Sequence, residues 1–395
     1  MPTKNLGQFF TTDKTLQNKV CEFIKNNPTT ILEPSVGRGD LVHSIINNNN
    51  NNNNNCTNPN KKIKFDMYEI DRTIKKFLVN KADITFGDFL KIDIHKKYTT
   101  IVGNPPYVRT NTGNLYIDFI EKCVHLLTDG GELIFIIPSD FFKITSTEKL
   151  LSYMYKHGSF THIYRPNNGY LFDDANVDVV IFRYCNGCHG SKVEYNGKTM
   201  WTSMVRGTIL FTNEKPNDTK DQEMIIGDYF DVYVGLVSAL DSVFNNDEFG
   251  NITVLCDKDK YKKFIFLESY PTKDKRLNKY MLNHKDELLA RRVKYFDEDN
   301  WWEWGGPRNI GVMRAQFGKK CIYVRNLTRK GEIAFEGFVE YFGAQLIMLV
   351  PKDGVCDDGC MQRAIAKFNS DAFKENYTYD SRFKIGHRQI YNTAF

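Results

Sequence analysis

The segment Val102-Gly-Asn-Pro-Pro-Tyr107 gathers groups suited to a planar amine. Pro105 and Pro106 stiffen the backbone directly after an apolar run and direct carbonyls outward. Asn104 adds a side-chain carbonyl and Tyr107 a flat ring. Two fixed acceptors beside a stacking surface match the exocyclic amine of a planar base. Such an amine is a poor nucleophile, because its lone pair is delocalised into the ring. Acceptors on both of its hydrogens return electron density to nitrogen, so orientation and fixed dipoles can drive a transfer to it. That chemistry needs no strong base and no metal, and no metal-binding constellation stands out.

A second set of residues suits a nucleoside. Ile31-Leu-Glu-Pro-Ser-Val-Gly-Arg-Gly39 reads as a strand running into a glycine-containing turn, where backbone can approach a ligand closely. Glu69 closes the next apolar run, and an acid there can hold ribose hydroxyls at an expected spacing of about 20 residues. Glu69 lies 30 residues after Gly39, but nine of those are the unbroken run Asn47 to Asn55. Without the run the spacing is 21, so the Asn tract reads as a floppy surface insertion over 47–60. A missing third glycine and the acidic Glu33 argue against a dinucleotide pyrophosphate. In Gly87-Asp-Phe-Leu90, Asp88 can accept from an adenine amino group and Phe89 can pack on the ring.

These groups need strands to hold them. Strands are expected at 29–33, 64–70, 83–87, 98–103, 132–138, 160–164 and 177–182, and helices at 40–46, 72–80 and 115–127. The alternation predicts a doubly wound, mainly parallel α/β sheet. Ligands of such sheets bind at the carboxyl ends of the strands, where the residues above fall.

The wider sequence sets the frame. A chain of 395 residues suggests about two to three domains. At 41% hydrophobic and 26% charged it has ordinary globular composition, which argues against a disordered, collagenous or disulfide-dense class. No apolar stretch approaches membrane-span length and no secretory signal is visible, so an intracellular protein without membrane contact is expected, its nine Cys reduced. The net charge of +5 is uneven. Residues 185–257 carry 5 basic and 11 acidic residues, 258–330 carry 19 and 9, and 331–395 carry 7 and 9. The middle block interleaves cations with aromatics, as a nucleic-acid surface requires. Arg308, Arg314, Lys319, Lys320, Arg325, Arg329 and Lys330 are its candidate DNA contacts.

The order GQFFT, EPSVGRG, YEID, GDF, NPPY, IPSDFF and FDDANVDVVIFRY resembles the gamma-class N6-adenine DNA methyltransferases of restriction–modification systems. The motifs cover about residues 6–184. The resemblance implies a Rossmann-like, seven-stranded α/β domain over 1–184 that binds S-adenosylmethionine. It further implies a connecting segment over 185–225 and a mixed α+β target-recognition domain over 226–395. Thr11 would touch the methionine end of the cofactor, and Glu33, Pro34, Ser35, Gly37 and Gly39 would form its loop. Glu69 would hold the ribose, Ile70 would lie against the adenine, and Asp88 and Phe89 would hold it. Asn104, Pro105, Pro106 and Tyr107 would handle the target base, with Phe172 stacking its other face. Double-stranded DNA is the implied partner, bound by a monomer that shares its site with a separate nuclease. Departures are the Asn run and Thr12, where many relatives carry Pro.

The same NPPY loop serves RNA adenine and protein glutamine-amide methyltransferases, and an inactive DNA-binding homologue is a further alternative. The leading GQFFT and the long second half favour DNA. Elsewhere, Cys185-Asn-Gly-Cys188 could pair with Cys356 and Cys360 around zinc, and Trp301-Trp-Glu-Trp304 is expected to anchor the core of the second domain.

Overall fold

The structure is a computed structural model that describes residues 9–50, 63–110, 113–166, 178–215, 224–291, 295–357, 359–379 and 382–395. It divides into two compact units, 1–220 and 221–395.

The first unit is built on one ten-stranded sheet. Its strands are β1 (Thr30–Glu33), β2 (Lys64–Glu69), β3 (Ile84–Phe86), β4 (Tyr98–Gly103), β5 (Leu127–Pro138), β6 (Gly158–Tyr164), β7 (Val179–Asn186), β8 (Lys192–Tyr195), β9 (Lys198–Val205) and β10 (Thr208–Thr212). The spatial order is β3-β2-β1-β4-β5-β7-β6-β8-β9-β10. From β3 to β5 every pairing is parallel, and β7 then inserts antiparallel between β5 and β6. Continuous apolar runs mark strands covered on both faces. Accordingly Leu133 to Ile137 of β5 and Val179 to Phe182 of β7 are almost wholly buried.

Helices α1 (Lys14–Phe23), α2 (Asp40–Asn50), α3 (Leu115–His125) and α4 (Glu148–His157) complete the unit. Asp13 caps α1 by accepting from the Leu16 N–H at 2.9 Å. Leu16, Val20 and Phe23, one or two turns apart, bury its apolar stripe.

Several expectations are corrected. The seven expected strands form β1 to β7, but the segment read as a connection over 185–225 is not a linker: β8 to β10 lie in it and extend the sheet to ten strands. No helix forms over 72–80. There the Asp71 carboxylate accepts from the Thr73 N–H at 2.7 Å and its hydroxyl at 2.6 Å, a local turn that competes with helix. The first Asn residues of the run are ordered, since α2 continues to Asn50 and the Asn48 amide donates to the Ser44 carbonyl at 3.0 Å. Two cysteine pairs are disulfides rather than thiols, Cys185–Cys188 and Cys356–Cys360, each closing on itself within one unit. Separations of three and four residues make both closures local.

The second unit centres on an antiparallel sheet in the order Phe230–Val234, Leu346–Pro351, Lys320–Arg325, Ala334–Phe338. Alternate residues face opposite layers. Ile322, Val324, Ile347 and Leu349 pack with Ala364, Phe368 and Phe373 of the C-terminal helices. Cys321, Tyr323 and Met348 pack with Trp301, Trp304 and Phe342 on the other side. Trp304 donates its indole N–H to the Ile265 carbonyl at 2.8 Å, so both core tryptophans are anchors as expected. Among the described residues, no helix is long and apolar enough to cross a membrane.

Candidate active site

In the first unit the chain runs outward from β1 to β3, then crosses back to place β4 on the other side of β1. That reversal opens a crevice at the carboxyl ends of the strands. Glu33 ends β1, Glu69 ends β2, Asp88 follows β3 and Asn104 follows β4. Topology thus gathers residues spread over more than 70 positions.

The glycine turn after β1 is held by the acids. Glu69 is 6% exposed and accepts from the Gly37 N–H and the Asp71 N–H, both at 2.8 Å. Glu33 is 2% exposed and accepts from the Ser35 N–H at 3.2 Å. Burial pushes the Glu33 carboxyl well above the ordinary range, and repulsion from Glu69 adds to this. Burial also raises Glu69, while the N–H groups of Asp71 and Gly37 oppose the rise. Gly39 sits at φ +91°, and a Cβ there would lie 2.8 Å from Val79. At Gly103 a Cβ would lie 3.0 Å from Glu33, so a side chain at this point of β4 would crowd the buried acid.

Asn104 is held at three points. Its Nδ2 donates to the Phe9 carbonyl at 2.8 Å and to Thr11 Oγ1 at 3.0 Å. Its Oδ1 accepts from the Tyr107 hydroxyl at 2.5 Å, and the same hydroxyl lies 3.0 Å from the Ile136 carbonyl. The Ser35 hydroxyl reaches the Asn104 main-chain carbonyl at 3.4 Å and joins the glycine turn to the NPPY loop. The Tyr107 ring stacks on Phe9, with centroids 5.2 Å apart, and meets the edge of Tyr116. In this arrangement its hydroxyl supports the Asn104 amide and one ring face is covered.

The structure therefore brings Thr11, Glu33, Pro34, Ser35, Gly37, Gly39, Glu69, Asn104, Pro105, Pro106 and Tyr107 into one region. Ile70 is 56% exposed at the tip of β2. Asp88 accepts from the Leu90 N–H at 3.1 Å and lies 3.2 Å from the Lys91 ammonium. Phe89 is packed inside, 2% exposed and stacked on Phe119. Phe172 lies outside the described residues. Sequence reasoning missed Phe9, which acts through a main-chain carbonyl and so carries no side-chain signal.

The candidate DNA contacts of the second unit differ sharply in state. Arg325 is 5% exposed, with its guanidinium on Asp257 at 2.6 Å and on the Glu332 carbonyl at 2.6 Å. It is a core ion-pair residue and not a surface cation. Lys330 shares Asp257, and these two cations overcome the effect of burial and hold that carboxyl down at about 2. Arg314 pairs with Glu268, Lys319 with Asp353 and Lys320 with Glu336. Arg308 and Arg329 are exposed. The antiparallel hairpin Ile252–Asp257/Lys260–Phe264 was not singled out, yet it exposes Lys258-Asp-Lys-Tyr-Lys-Lys263 without interruption. Lys260, Lys262 and Lys263 make no ion pair among the described residues.

A buried acid, a glycine turn and a carboxamide thus gather at the carboxyl ends of one α/β sheet, where a nucleoside-like ligand can be bound. Residues 14–172 match the family model of the Eco57I restriction-modification methylase. The Type II methyltransferase M.HindII of Haemophilus influenzae is 28% identical over 418 residues, covering 84% of this chain and 77% of that protein. M.HincII of the same species is 32% identical over 207 residues, covering 46% of this chain and 38% of its own length. The type IIL restriction-modification enzyme MmeI, solved in complex with DNA, superposes over 99% of this chain and 64% of its own with a TM-score of 0.51 at 11% identity, a likeness of fold. The chain is an S-adenosylmethionine-dependent methyltransferase, similar to the type II restriction–modification enzymes. The side chains present are chemically compatible with that cofactor: the buried Glu69 carboxylate would suit ribose hydroxyls, the exposed Ile70 an adenine face and the Asp88 carboxylate an amino group.

Proposed function

We propose that this chain methylates the N6 amine of an adenine within a short duplex DNA site, the gamma-class reaction, with residues 221–395 reading the site. The observation that carries the reading is the Asn104 carboxamide, fixed at the end of β4 and joined through Ser35 to the glycine turn. S-adenosylmethionine supplies an electrophilic methyl group. Glu69 orients it through the ribose, and Asp88 and Ile70 select its adenine. Asn104 Oδ1 and the Pro105 carbonyl would accept the two hydrogens of the target amine and orient its nitrogen. As the new N–CH3 bond formed, the sulfonium S–CH3 bond would break, S-adenosylhomocysteine would leave as a neutral thioether and one N–H proton would pass to solvent. A base stacked in duplex cannot reach these groups, so it must be flipped out at a cost of a few kcal/mol. Stacking on Tyr107 and Phe172 offsets part of that cost, at about 1–3 kcal/mol per base. Such stacking requires the Tyr107 ring to come away from Phe9.

The acting form is proposed to be a monomer. A separate nuclease that shares the site is the partner proposed for a modification enzyme of this kind. The test is expression in a methylation-deficient host followed by sequencing that detects modified bases. N6-methyladenine at one recurrent motif supports the reading. Unmodified DNA, together with methyl transfer to RNA or to protein glutamine in vitro, overturns it.

A further inference from the structure

A carboxamide can face its target with either end. Turned one way it offers a carbonyl oxygen, and turned the other way an NH2 that can only donate. An amine target is served by the first and repelled by the second. We infer that Thr11 and the Phe9 main-chain carbonyl make this choice, acting as the positioning pair that keeps Asn104 Oδ1 turned toward the target amine. The inference rests on the reading of the site given above.

The geometry carries it. The Phe9 carbonyl, 2.8 Å from Nδ2, can only accept, so the atom facing it must be the NH2. Thr11 Oγ1 takes the second hydrogen at 3.0 Å, which uses both hydrogens of the amide. A flipped amide would set its oxygen against the Phe9 carbonyl oxygen, leaving two part-buried acceptors face to face. On the other side the Tyr107 hydroxyl lies on Oδ1, and an amide oxygen has two lone pairs, so one stays available to a target.

The pair is itself rigid. Thr11 is 4% exposed, and its carbonyl accepts from the buried Gln17 amide at 2.6 Å, which ties it to α1. The Thr12 N–H closes a tight turn on the Phe10 carbonyl at 3.0 Å. Asp13 then caps the helix. The segment just ahead of α1 is therefore braced by that helix. Accepting from Asn104 also leaves the Thr11 O–H hydrogen for a second partner. Loss of the hydroxyl thus need not act through cofactor binding alone, and the two effects are separable.

The experiment compares Thr11→Val, Thr11→Ala and Thr11→Ser in the full chain. Cofactor affinity, DNA affinity and the single-turnover methylation rate at saturating cofactor are measured for each, with thermal unfolding as the check on folding. Positioning predicts that Thr11→Val slows the single-turnover step by about tenfold or more at saturation, the scale of one lost hydrogen bond to the reacting assembly. Thr11→Ser, which keeps the acceptor, recovers most of that rate. If Thr11→Val does not fold, Thr11→Ala carries the same expectation. A Thr11→Val rate equal to the parent at saturating cofactor, with only cofactor affinity reduced, overturns the inference and leaves the proposed function standing. A parent chain that binds cofactor but methylates no DNA overturns the functional reading, and the inference with it.

Discussion

Asn104 and Glu33 carry the sharpest consequences of single side chains. Asn104→Ala removes one acceptor of the target amine without touching the Glu69 end of the crevice. The expected outcome is cofactor binding near the parent value, by calorimetry, and methyl transfer reduced by about a hundredfold or more. Glu33 bears on stability instead. Burial raises its carboxyl well above 4.5, so the folded chain keeps a proton there that the unfolded chain has released. Stability from this site is complete below that value and falls as pH rises toward the elevated one. Glu33→Gln is neutral throughout. Without added cofactor it is expected to be more stable than the parent at pH 8, with the gap closing near pH 4, as read by urea denaturation across that range. Asn104, Glu33 and Glu69 were legible in sequence because each is a polar residue ending an apolar run. Phe9 was not, since a main-chain carbonyl looks the same at every residue. Arg325 was misread because its partner Asp257 is 68 residues away, and sequence does not separate a paired core guanidinium from a surface one.

Between elements, Glu132 of β5 is the main polar tie of the first sheet. It is wholly buried and accepts from Arg183 of β7 at 2.8 Å, Thr100 of β4 at 2.9 Å and the N–H groups of Lys25 and Asn26 beyond α1. Three strands and a helix end converge on one carboxylate. Glu132→Ala leaves the Arg183 charge buried and is expected to cost about 3–5 kcal/mol in chemical denaturation. Strands were well foreshadowed where apolar runs were continuous, as at Tyr98–Gly103, which the structure reproduces residue for residue. The expected helix over 72–80 failed because a side-chain turn at Asp71 outcompetes helical pairing, and apolar spacing does not register that competition. Strands β8 to β10 were overlooked because their short, Gly- and Asn-punctuated runs resemble a linker.

For the molecule as a whole, the net charge of +5 conceals a second unit in which most of the cations first singled out are already paired. Of the seven cations first singled out there, five face carboxylates. The hairpin lysines Lys260, Lys262 and Lys263 make no ion pair among the described residues, although Lys260 lies across the ribbon from Asp257. A two-stranded ribbon is narrow enough to enter a major groove. If these three contact phosphates, replacing all three by Ala weakens DNA binding and lowers the slope of log affinity against log salt by about 2–3, since each neutralised phosphate contributes about 0.9. Binding titrations at several salt concentrations check this. An unchanged slope would assign the ribbon to ordinary surface.

The Asn run joins α2 to the start of β2, whereas the glycine turn, Glu69 and Asn104 lie at the strands' other ends. Length variation at this junction is therefore tolerated by geometry. The same junction offers an engineer a place to splice in a fluorescent reporter or an affinity handle, between two elements that meet it at the strand ends opposite the candidate site.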